Sequence, residues 1–503
     1  MAEFIREFES RVRSHATATA YIKDGEHITF EAVNCIANQL AHWLCEQWPD
    51  NEVIGLCTEA SLETAGLLLG MLKAGKVFLG LDPSYPAEQL RFMIAAANCS
   101  LVIADGAIDA DQLGTGRLLC VADVLNVIRD QPTNNPSMSE GCDLPAYATF
   151  TSGSSGNPKA VLAPVRQIDN RFRWMWNAYP LENEEVCCQQ MPLSFVDVIW
   201  EILGPPCVGI PVVLIPRRCR VSPEALCQTL RDHHVSRVWM LPAAINAMVE
   251  RFPDLMERLP ALRFWVSTGD VLSPGLVAKF QKAVPNARLF NLYGTSEVWD
   301  ATWYGVPEGG IEGLVVPIGE PIMNVDVCLV NEGQKVAGTS TGEIAVSGEG
   351  LALGYWKMPE RRLEPFTVEV AGVQNKCYLT GDLGRYGSDG NLYFLGRRET
   401  TAMRGGEFVR LLEIEAALTL HPLVQEGAVT FGRNESSEVV ISGYYCSRAS
   451  KSASANDLKA FLRDILPASS QPDRLVRISE FPMTPSGKIY RRKLADWEAT
   501  HAY

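Results

Sequence analysis

A run of hydroxyls, glycines and one lysine, Thr151-Ser152-Gly153-Ser154-Ser155-Gly156-Asn157-Pro158-Lys159, has the composition of a loop that wraps a polyphosphate. Glycine lets backbone N–H groups approach phosphate oxygens, the Ser and Thr hydroxyls add donors, and Lys159 supplies a compact positive charge. The spacing is not G-x-x-x-x-G-K-[ST], so the P-loop arrangement, in which the lysine opens a helix, does not apply. Taken alone, the stretch reads equally well as a flexible surface linker. The remaining chain has to decide between the two.

Further motifs stand in order along it. They are Leu72-Lys73-Ala74-Gly75 with Leu81-Asp82-Pro83-Ser84-Tyr85-Pro86, then Asn291-Leu292-Tyr293-Gly294-Thr295-Ser296-Glu297, Gly342-Glu343-Ile344, Gly354-Tyr355-Trp356, Thr380-Gly381-Asp382, Gly396-Arg397 and Pro485-Ser486-Gly487-Lys488. In this order and at these separations they resemble the amino-acid adenylation domains of nonribosomal peptide synthetases and their stand-alone relatives, within the adenylate-forming superfamily. The resemblance covers nearly all of the 503 residues. Carboxylate activation needs an acid held beside ATP, a cation to bridge phosphates, and positive charge on the transition state as pyrophosphate leaves. The resemblance implies ATP and Mg2+ and distributes these tasks. Thr151, Ser152, Gly153, Ser154, Ser155, Gly156 and Lys159 clasp the β- and γ-phosphates, and Glu297 holds Mg2+, an oxygen ligand suited to a hard cation. Asp382 takes the ribose hydroxyls, and Arg397 the ribose or a phosphate. Tyr293 and the Thr268-Gly269-Asp270 turn, with Asn291, Gly294, Thr295 and Ser296, look like the adenine side. Lys488 matches the catalytic lysine that a domain rotation brings between the substrate carboxylate and the α-phosphate.

In this family the residues lining the acid pocket fall at readable positions, the first of them just before a Trp-Glu pair. The usual pattern is Phe-Asp-x-x-x-Trp-Glu, its aspartate pairing the α-ammonium of the substrate. This chain reads Phe195-Val196-Asp197-Val198-Ile199-Trp200-Glu201, so the carboxylate has moved one residue along and Val196 stands in its place. A buried ammonium left facing valine costs several kcal/mol, enough to reject a standard α-amino acid by roughly 10²-fold or more. The remaining positions by this matching are Trp200, Met240, Val266, Thr268, Leu292, Asp300 and Ala301, and the Val-Asp-Trp start is similar to β-alanine-activating domains. An ammonium one carbon further from the carboxylate demands a displaced anion, and bulky Trp200, Met240 and Leu292 leave room for little else. Asp300 offers a second anion, either to share that ammonium or to pair another cation of a larger ω-amino or diamino acid. Asp197 has a plainer alternative role as N-cap of the following helix.

The elements that must position these residues are legible in outline. Glu52-Val53-Ile54-Gly55-Leu56 followed by Ser61 to Leu72 alternates an apolar β-rich run with an amphipathic helix, the pattern of a parallel α/β sheet. Val325 to Val330 and Gly342 to Gly348 are strand patterns separated by Gly-rich turns without a helix, which predicts a β-rich subdomain from about Val315 to Phe394. Gln131 to Cys142 is polar and unpatterned, a surface loop. After Gly396-Arg397 the chain reads as a small α+β unit. The expected fold class is α/β + β, with an N-terminal core over residues 1–396 that binds ATP and amino acid and a mobile C-terminal lid over residues 397–503 that carries Lys488.

Composition fits this size of enzyme: 47% hydrophobic and 21% charged residues can build several cores. The net charge of −14 provides no global basic field, so neither nucleic acid nor an anionic membrane is expected as a partner. The start Met1-Ala2-Glu3-Phe4-Ile5-Arg6 lacks a signal pattern and no apolar run reaches membrane-spanning length, which points to the cytoplasm. The 14 cysteines form no C-x-x-C pair and are expected as free, mostly buried thiols.

Ala160, Leu353 and Val165 depart from the family's usual glycine, arginine and histidine without touching the core chemistry. Arg404 to Glu415 fits both the acyl-CoA ligase and the peptide-synthetase form of the loop that guides the thiol, so the acceptor is a phosphopantetheinylated carrier protein or coenzyme A. It is expected in trans, since 15 residues follow Lys488, unless the chain is a piece of a longer protein. The resulting expectation is an AMP-forming acid–thiol ligase that converts a small amino acid, β-alanine or another β-amino acid, to aminoacyl-AMP. A turn of the C-terminal domain about a hinge near Arg398-Glu399 then admits the thiol. The alternative is an acyl- or aryl-CoA ligase, whose pocket would be apolar where this one carries Asp197 and Asp300. A silent nucleotide-binding relative would be expected to lack Lys488 or the phosphate loop.

Overall fold

The computed structural model describes residues 2–48, 52–106, 113, 117–137, 141–151, 159–357, 362–364, 366–398, 401–404, 407–409, 411–434, 438–447, 453–483, 489–491 and 493–494. Two mixed sheets with helices around them form the large N-terminal domain. The nine-stranded sheet runs in the order Glu320–Pro321, Thr302–Gly305, Arg288–Tyr293, Phe264–Ser267, Arg237–Met240, Cys187–Gln189, Val212–Leu214, Thr19–Lys23, Glu26–Thr29. Its six central strands, from Arg288–Tyr293 to Thr19–Lys23, are parallel. The eight-stranded sheet runs Arg362–Glu364, Gly354–Lys357, Lys159–Pro164, Pro145–Thr151, Val77–Gly80, Val53–Cys57, Cys99–Ala104, Leu118–Cys120. The expected strand–helix unit is there, as Val53–Cys57 followed by helix Leu62–Lys73, whose Ser61 N-cap forms a capping box with Thr64.

An antiparallel sheet without helices follows, built from Val325–Asn331, Gln334–Val336, Gly342–Gly348, Thr367–Val368, Cys377–Tyr386 and Leu392–Arg397. Beyond it, helices Leu411–Leu420 and Ala455–Arg463 pack on a three-stranded sheet of Val424–Arg433, Val439–Ser447 and Arg474–Arg477, with a core of its own around Ile414, Leu418, Ile441 and Leu458. All fourteen cysteines are free thiols. Among the described residues, no helix is long and apolar enough to cross a membrane.

Three devices hold the elements that will carry the site. Helix Glu3–His15 has no side-chain cap of its own; Asp169, on helix Val165–Ala178, accepts from the N–H groups of Glu3 and Phe4 at 3.0 and 2.9 Å, which satisfies orphan donors and complements the helix dipole. The same N-terminal helix meets helix Asp197–Cys207, where Cys207 Sγ donates to the Phe4 carbonyl at 3.1 Å. Finally, Gly80 ends its strand against the chain leading into that helix: a Cβ there would lie 1.7 Å from the Leu193 carbonyl oxygen, so only glycine fits.

Lys73, on helix Leu62–Lys73, anchors this assembly from below. Its Nζ donates to Glu9 at 2.7 Å and to Asn34 and Asn38 at 2.8 Å each, with its side chain at 0% exposure. Burial lowers the lysine's pKa and the Glu9 partner opposes that shift. Removing one member of such a pair strands a buried charge. Lys73→Met should therefore lower unfolding free energy by about 3–5 kcal/mol, whereas Lys73→Met combined with Glu9→Leu should recover most of the loss. Urea denaturation of the two variants checks this, and equal losses would mean the pair is not the anchor.

Candidate active site

The site lies where parallel strands end, the place open α/β sheets hold ligands. Strands Arg237–Met240, Phe264–Ser267 and Arg288–Tyr293 bring Met240, Thr268 and Tyr293 to one edge of the nine-stranded sheet. Gly269, at φ +80, makes the turn that Thr268-Gly269-Asp270 requires. Across from Tyr293, Asp382 and Arg397 are direct partners on neighbouring strands. Tyr293 donates its phenol to Asp382 at 2.7 Å, and Arg397 lies 3.2 Å from the other carboxylate oxygen. Burial raises the Asp382 pKa, while Arg397 and the Tyr293 hydrogen bond pull it back. The aspartate is set by its own turn, in which Thr380 Oγ1 accepts from the Asp382 N–H at 3.1 Å and Gly381 N–H bonds Glu343 at 2.9 Å. The residues expected at adenine and ribose thus share one corner. Asn291 is there too, with its amide donating to the Pro317 carbonyl at 2.9 Å, and Asp270 stands exposed at its turn.

The phosphate stretch joins the antiparallel strands Pro145–Thr151 and Lys159–Pro164, with Thr151 directly opposite Lys159. Ser152, Gly153, Ser154, Ser155 and Gly156 lie outside the described residues, as does Lys488. Strand Gly354–Lys357 flanks this hairpin and carries Tyr355, whose hydroxyl donates to Glu297 at 2.9 Å. Glu297 is buried. Among the described residues no group of three acidic, His or Cys side chains could hold a metal alone. Mg2+ commonly uses only one or two carboxylates, completing its shell with phosphates and water, so a single buried carboxylate beside the phosphate hairpin fits that ion. Thr295 Oγ1, two residues away, is buried with no partner among the described residues.

Between Tyr293 and Thr302 the chain makes a closed loop. Ala301 N–H donates to the Tyr293 carbonyl at 2.8 Å, and Gly294 packs so closely that a Cβ would stand 1.6 Å from the Trp299 carbonyl oxygen. Trp299 holds φ +56, a left-handed conformation that is strained for a bulky residue. That conformation goes with an indole N–H donating to Asp197 Oδ1 at 3.1 Å.

Asp197 is the first residue of helix Asp197–Cys207, and Val196 at the N-cap makes no side-chain cap bond. The capping alternative for Asp197 is therefore not what the structure contains. The aspartate is buried in a group with Arg171 and Asp300. Arg171 Nε pairs Asp300 Oδ2 at 2.5 Å, with both side chains at 3% exposure or less, and its guanidinium lies over Trp174, Trp200 and Trp299 at 4.8, 5.6 and 5.7 Å. The guanidinium thus pairs one carboxylate directly and acts on the other only through space. Burial and the negative charge of Asp300 push the Asp197 pKa up to about 7, against the pull of Arg171 and the Trp299 hydrogen bond. Trp200 lies against Phe172 and Trp239 at 5.1 and 5.9 Å, and its ring sits over Gly204, where a Cβ would come within 2.3 Å of it.

Val266, Leu292, Ala301 and Trp200 share one core with half-buried Val196, but Met240 packs in the neighbouring core with Cys188, Val213 and Trp265. Strand alternation is the cause: Trp239, not Met240, is the residue of that strand facing Trp200. The sequence reading missed Arg171, Trp299 and Tyr355. Arg171 had a signal, because it interrupts the apolar stripe Ile168, Phe172, Met175 of its helix, and a charge on such a stripe implies a buried partner. Trp299 had none, since nothing in Val298-Trp299-Asp300 announces a left-handed tryptophan.

Comparison with known proteins places the chain. The family model "AMP-binding enzyme" matches residues 8–356, and "AMP-binding enzyme C-terminal domain" matches residues 413–488. A dimodular nonribosomal peptide synthase of Bacillus subtilis (strain 168) is 30% identical over 97% of this chain, which spans only 20% of that protein. Zwittermicin A synthase ZmaJ of Bacillus cereus is 31% identical over 97% of this chain and 94% of its own length. A crystal structure of an anthranilate CoA ligase in complex with anthranoyl-AMP superimposes with a TM-score of 0.85 over 99% of this chain and 98% of that one, at 21% identity, a likeness of fold. The chain belongs to the AMP-binding enzymes of the adenylate-forming superfamily, with their large N-terminal α/β domain and small C-terminal domain.

Proposed function

We propose that this AMP-forming ligase activates a small amino acid whose ammonium lies beyond the α position, β-alanine or a close β-amino acid, and passes it to a phosphopantetheine thiol. The observation that carries the reading is buried Asp197, hydrogen-bonded by Trp299, while the neighbouring cation Arg171 is committed to Asp300. With Arg171 paired to Asp300, Asp197 is the carboxylate left over, and a proton relieves it in the free site. A substrate ammonium can take that proton's place, whereas an aryl or fatty acid has no cation to offer and would leave Asp197 protonated and without a partner in the substrate. The acceptor can be a carrier protein or coenzyme A on either reading.

On this reading the reaction has two halves. A carboxylate oxygen of the substrate attacks the α-phosphorus, the bond to the β-phosphate's bridging oxygen breaks, and pyrophosphate leaves. Lys159 and Thr151 meet the phosphates, Asp382 takes the ribose hydroxyls with Tyr293 on the adenine side, and Glu297 would hold Mg2+, which when bound supplies charge screening between phosphates. Lys488 donates to the oxygens that gain charge. After the C-terminal unit turns, the thiol sulfur, having lost its proton, attacks the acyl carbon and AMP departs. The pocket walls of Trp200, Val266 and Leu292 exclude water while this happens.

Lys488→Ala should lower adenylate formation by orders of magnitude while ATP affinity changes little, because the charge acts in the transition state. Pyrophosphate release and ATP titration, measured together, test that separation. Substrate choice is tested by kcat/KM for β-alanine over α-alanine: the ratio should exceed one in the parent and collapse in Asp197→Ala. Asp300 does not take over there, being held by Arg171. A parent ratio below one would overturn the pocket reading and leave adenylation standing. The pH dependence has a definite sign. Ammonium binding needs ionised Asp197, whose pKa without substrate is about 7, so β-alanine affinity should climb about tenfold per pH unit below that value and level off above it. The groups facing Asp197 are Asp300, Arg171, Tyr147 and Glu201, and none of them reverses this slope. Calorimetric titration between pH 5.5 and 8.5 reads it directly.

A further inference from the structure

Gly354-Tyr355-Trp356 is a motif of the N-terminal domain to which the reaction above gives no task. Its strand pairs with the strand that opens at Lys159: Tyr355 is opposite Val161 and Trp356 opposite Ala160. The same segment grips the loop that carries Glu297, since Ala352 N–H donates to the Glu297 carbonyl and Leu353 N–H to the Leu162 carbonyl, both at 2.8 Å. Tyr355 completes the connection with its side chain. The hydroxyl donates to Glu297 Oε1 at 2.9 Å, and Lys159 Nζ lies 4.8 Å from the centre of the same ring. Phe366 packs on that ring at 5.2 Å and in turn on Tyr378 at 4.8 Å. One half-buried aromatic therefore touches both the lysine and the carboxylate, by two separate parts of its structure.

We propose that Tyr355 is a positioning residue that sets Lys159 and Glu297 in one frame, the ring restraining the lysine by a cation–π contact and the hydroxyl fixing the carboxylate for the cation that accompanies ATP. This rests on the roles given to Lys159 and Glu297 above. A long lysine and a glutamate each lose rotamer freedom on meeting a ligand. Restraining both beforehand reduces that loss, and it does so for the Mg2+–ATP complex more than for ATP alone.

The two parts of the side chain can be removed separately. Tyr355→Phe keeps the ring and drops the hydroxyl; Tyr355→Leu drops both. ATP affinity is measured by titration calorimetry with EDTA and with saturating Mg2+, on the full chain, alongside thermal melting. For Tyr355→Phe we expect metal-free ATP affinity within about twofold of the parent and a Mg2+-dependent gain in affinity reduced about tenfold, the size of one charge-assisted hydrogen bond. For Tyr355→Leu, metal-free affinity should also fall several-fold. Equal losses with and without Mg2+ in Tyr355→Phe, or no loss at all, would overturn the proposal. Glu297→Gln in the same titration separates the layers. If it keeps the full Mg2+ gain, the assignment of Glu297 fails and the role of Tyr355 with it. If it abolishes the gain while Tyr355→Phe retains it, only the role of Tyr355 fails.

Discussion

The tightest approach among the described glycines is that of Gly294 to the carbonyl of Trp299, where no side chain fits. It closes the loop between Tyr293 and Thr302, and that loop ties together three parts of the candidate site. Tyr293 reaches Asp382, Glu297 reaches Tyr355 beside the strand that opens at Lys159, and Trp299 and Asp300 reach Asp197 and Arg171. Because the loop is short and cross-bonded by Ala301 to Tyr293, displacement at one of these positions is felt at the others. The left-handed Trp299 is the visible strain of this closure, on the order of 1–3 kcal/mol, and it is borne by the packing of its ring against Tyr147 and Phe172 at 6.0 and 6.5 Å.

The acid pocket is an electrostatic arrangement before it is a shape. A salt bridge as buried as Arg171–Asp300 adds little net stability over apolar residues of the same volume, so its presence beside a second carboxylate calls for a reason in the site. Without substrate, the excess negative charge is relieved by a proton, which is why Asp197 titrates near neutrality. On the function proposed above, a substrate ammonium would replace the proton. The aromatic rings over Arg171 keep water from doing the same work, and they bring their negative faces to a cation that is already paired.

Much of this was legible in the sequence because it depends on local spacing. The strand–helix unit at Val53–Cys57 and Leu62–Lys73, the helix-free sheet of Val325–Asn331 and Gly342–Gly348, and the small unit after Arg397 each follow from hydrophobic period and turn residues. The motifs named Tyr293, Asp382 and Arg397 together through the family resemblance; Asp382 and Arg397 sit opposite each other on paired strands, and Tyr293 reaches Asp382 from another sheet through its hydroxyl. What stayed hidden depends on contacts between distant segments. Arg171 and Asp300 are 129 residues apart, and Tyr355 and Glu297 are 58 apart. The face on which Met240 lies depends on strand register, since a shift of one residue exchanges it with Trp239.

The two domains meet through a boundary unlike either core. Helix Leu411–Leu420 faces helix Pro274–Ala283, with Thr419 near Gly275, and half-buried Leu314 touches the C-terminal core. The polar contacts there are weak and partly opposed. Gln425 reaches Glu250 at 3.4 Å, and Glu426 has its pKa raised by burial and then by the negative charge of Glu250, with Lys279 working against the rise. Lys279 is itself bonded to Glu250 at 2.6 Å and acts on Glu426 only through space. Each domain keeps its own core, and among the described residues like charge meets across the boundary at Glu250 and Glu426. The loop between Tyr293 and Thr302, by contrast, cannot move without breaking its close packing. A rotation of the C-terminal unit would therefore leave the contacts of that loop with Asp382, Tyr355 and Asp197 intact, since all of them lie within the N-terminal domain.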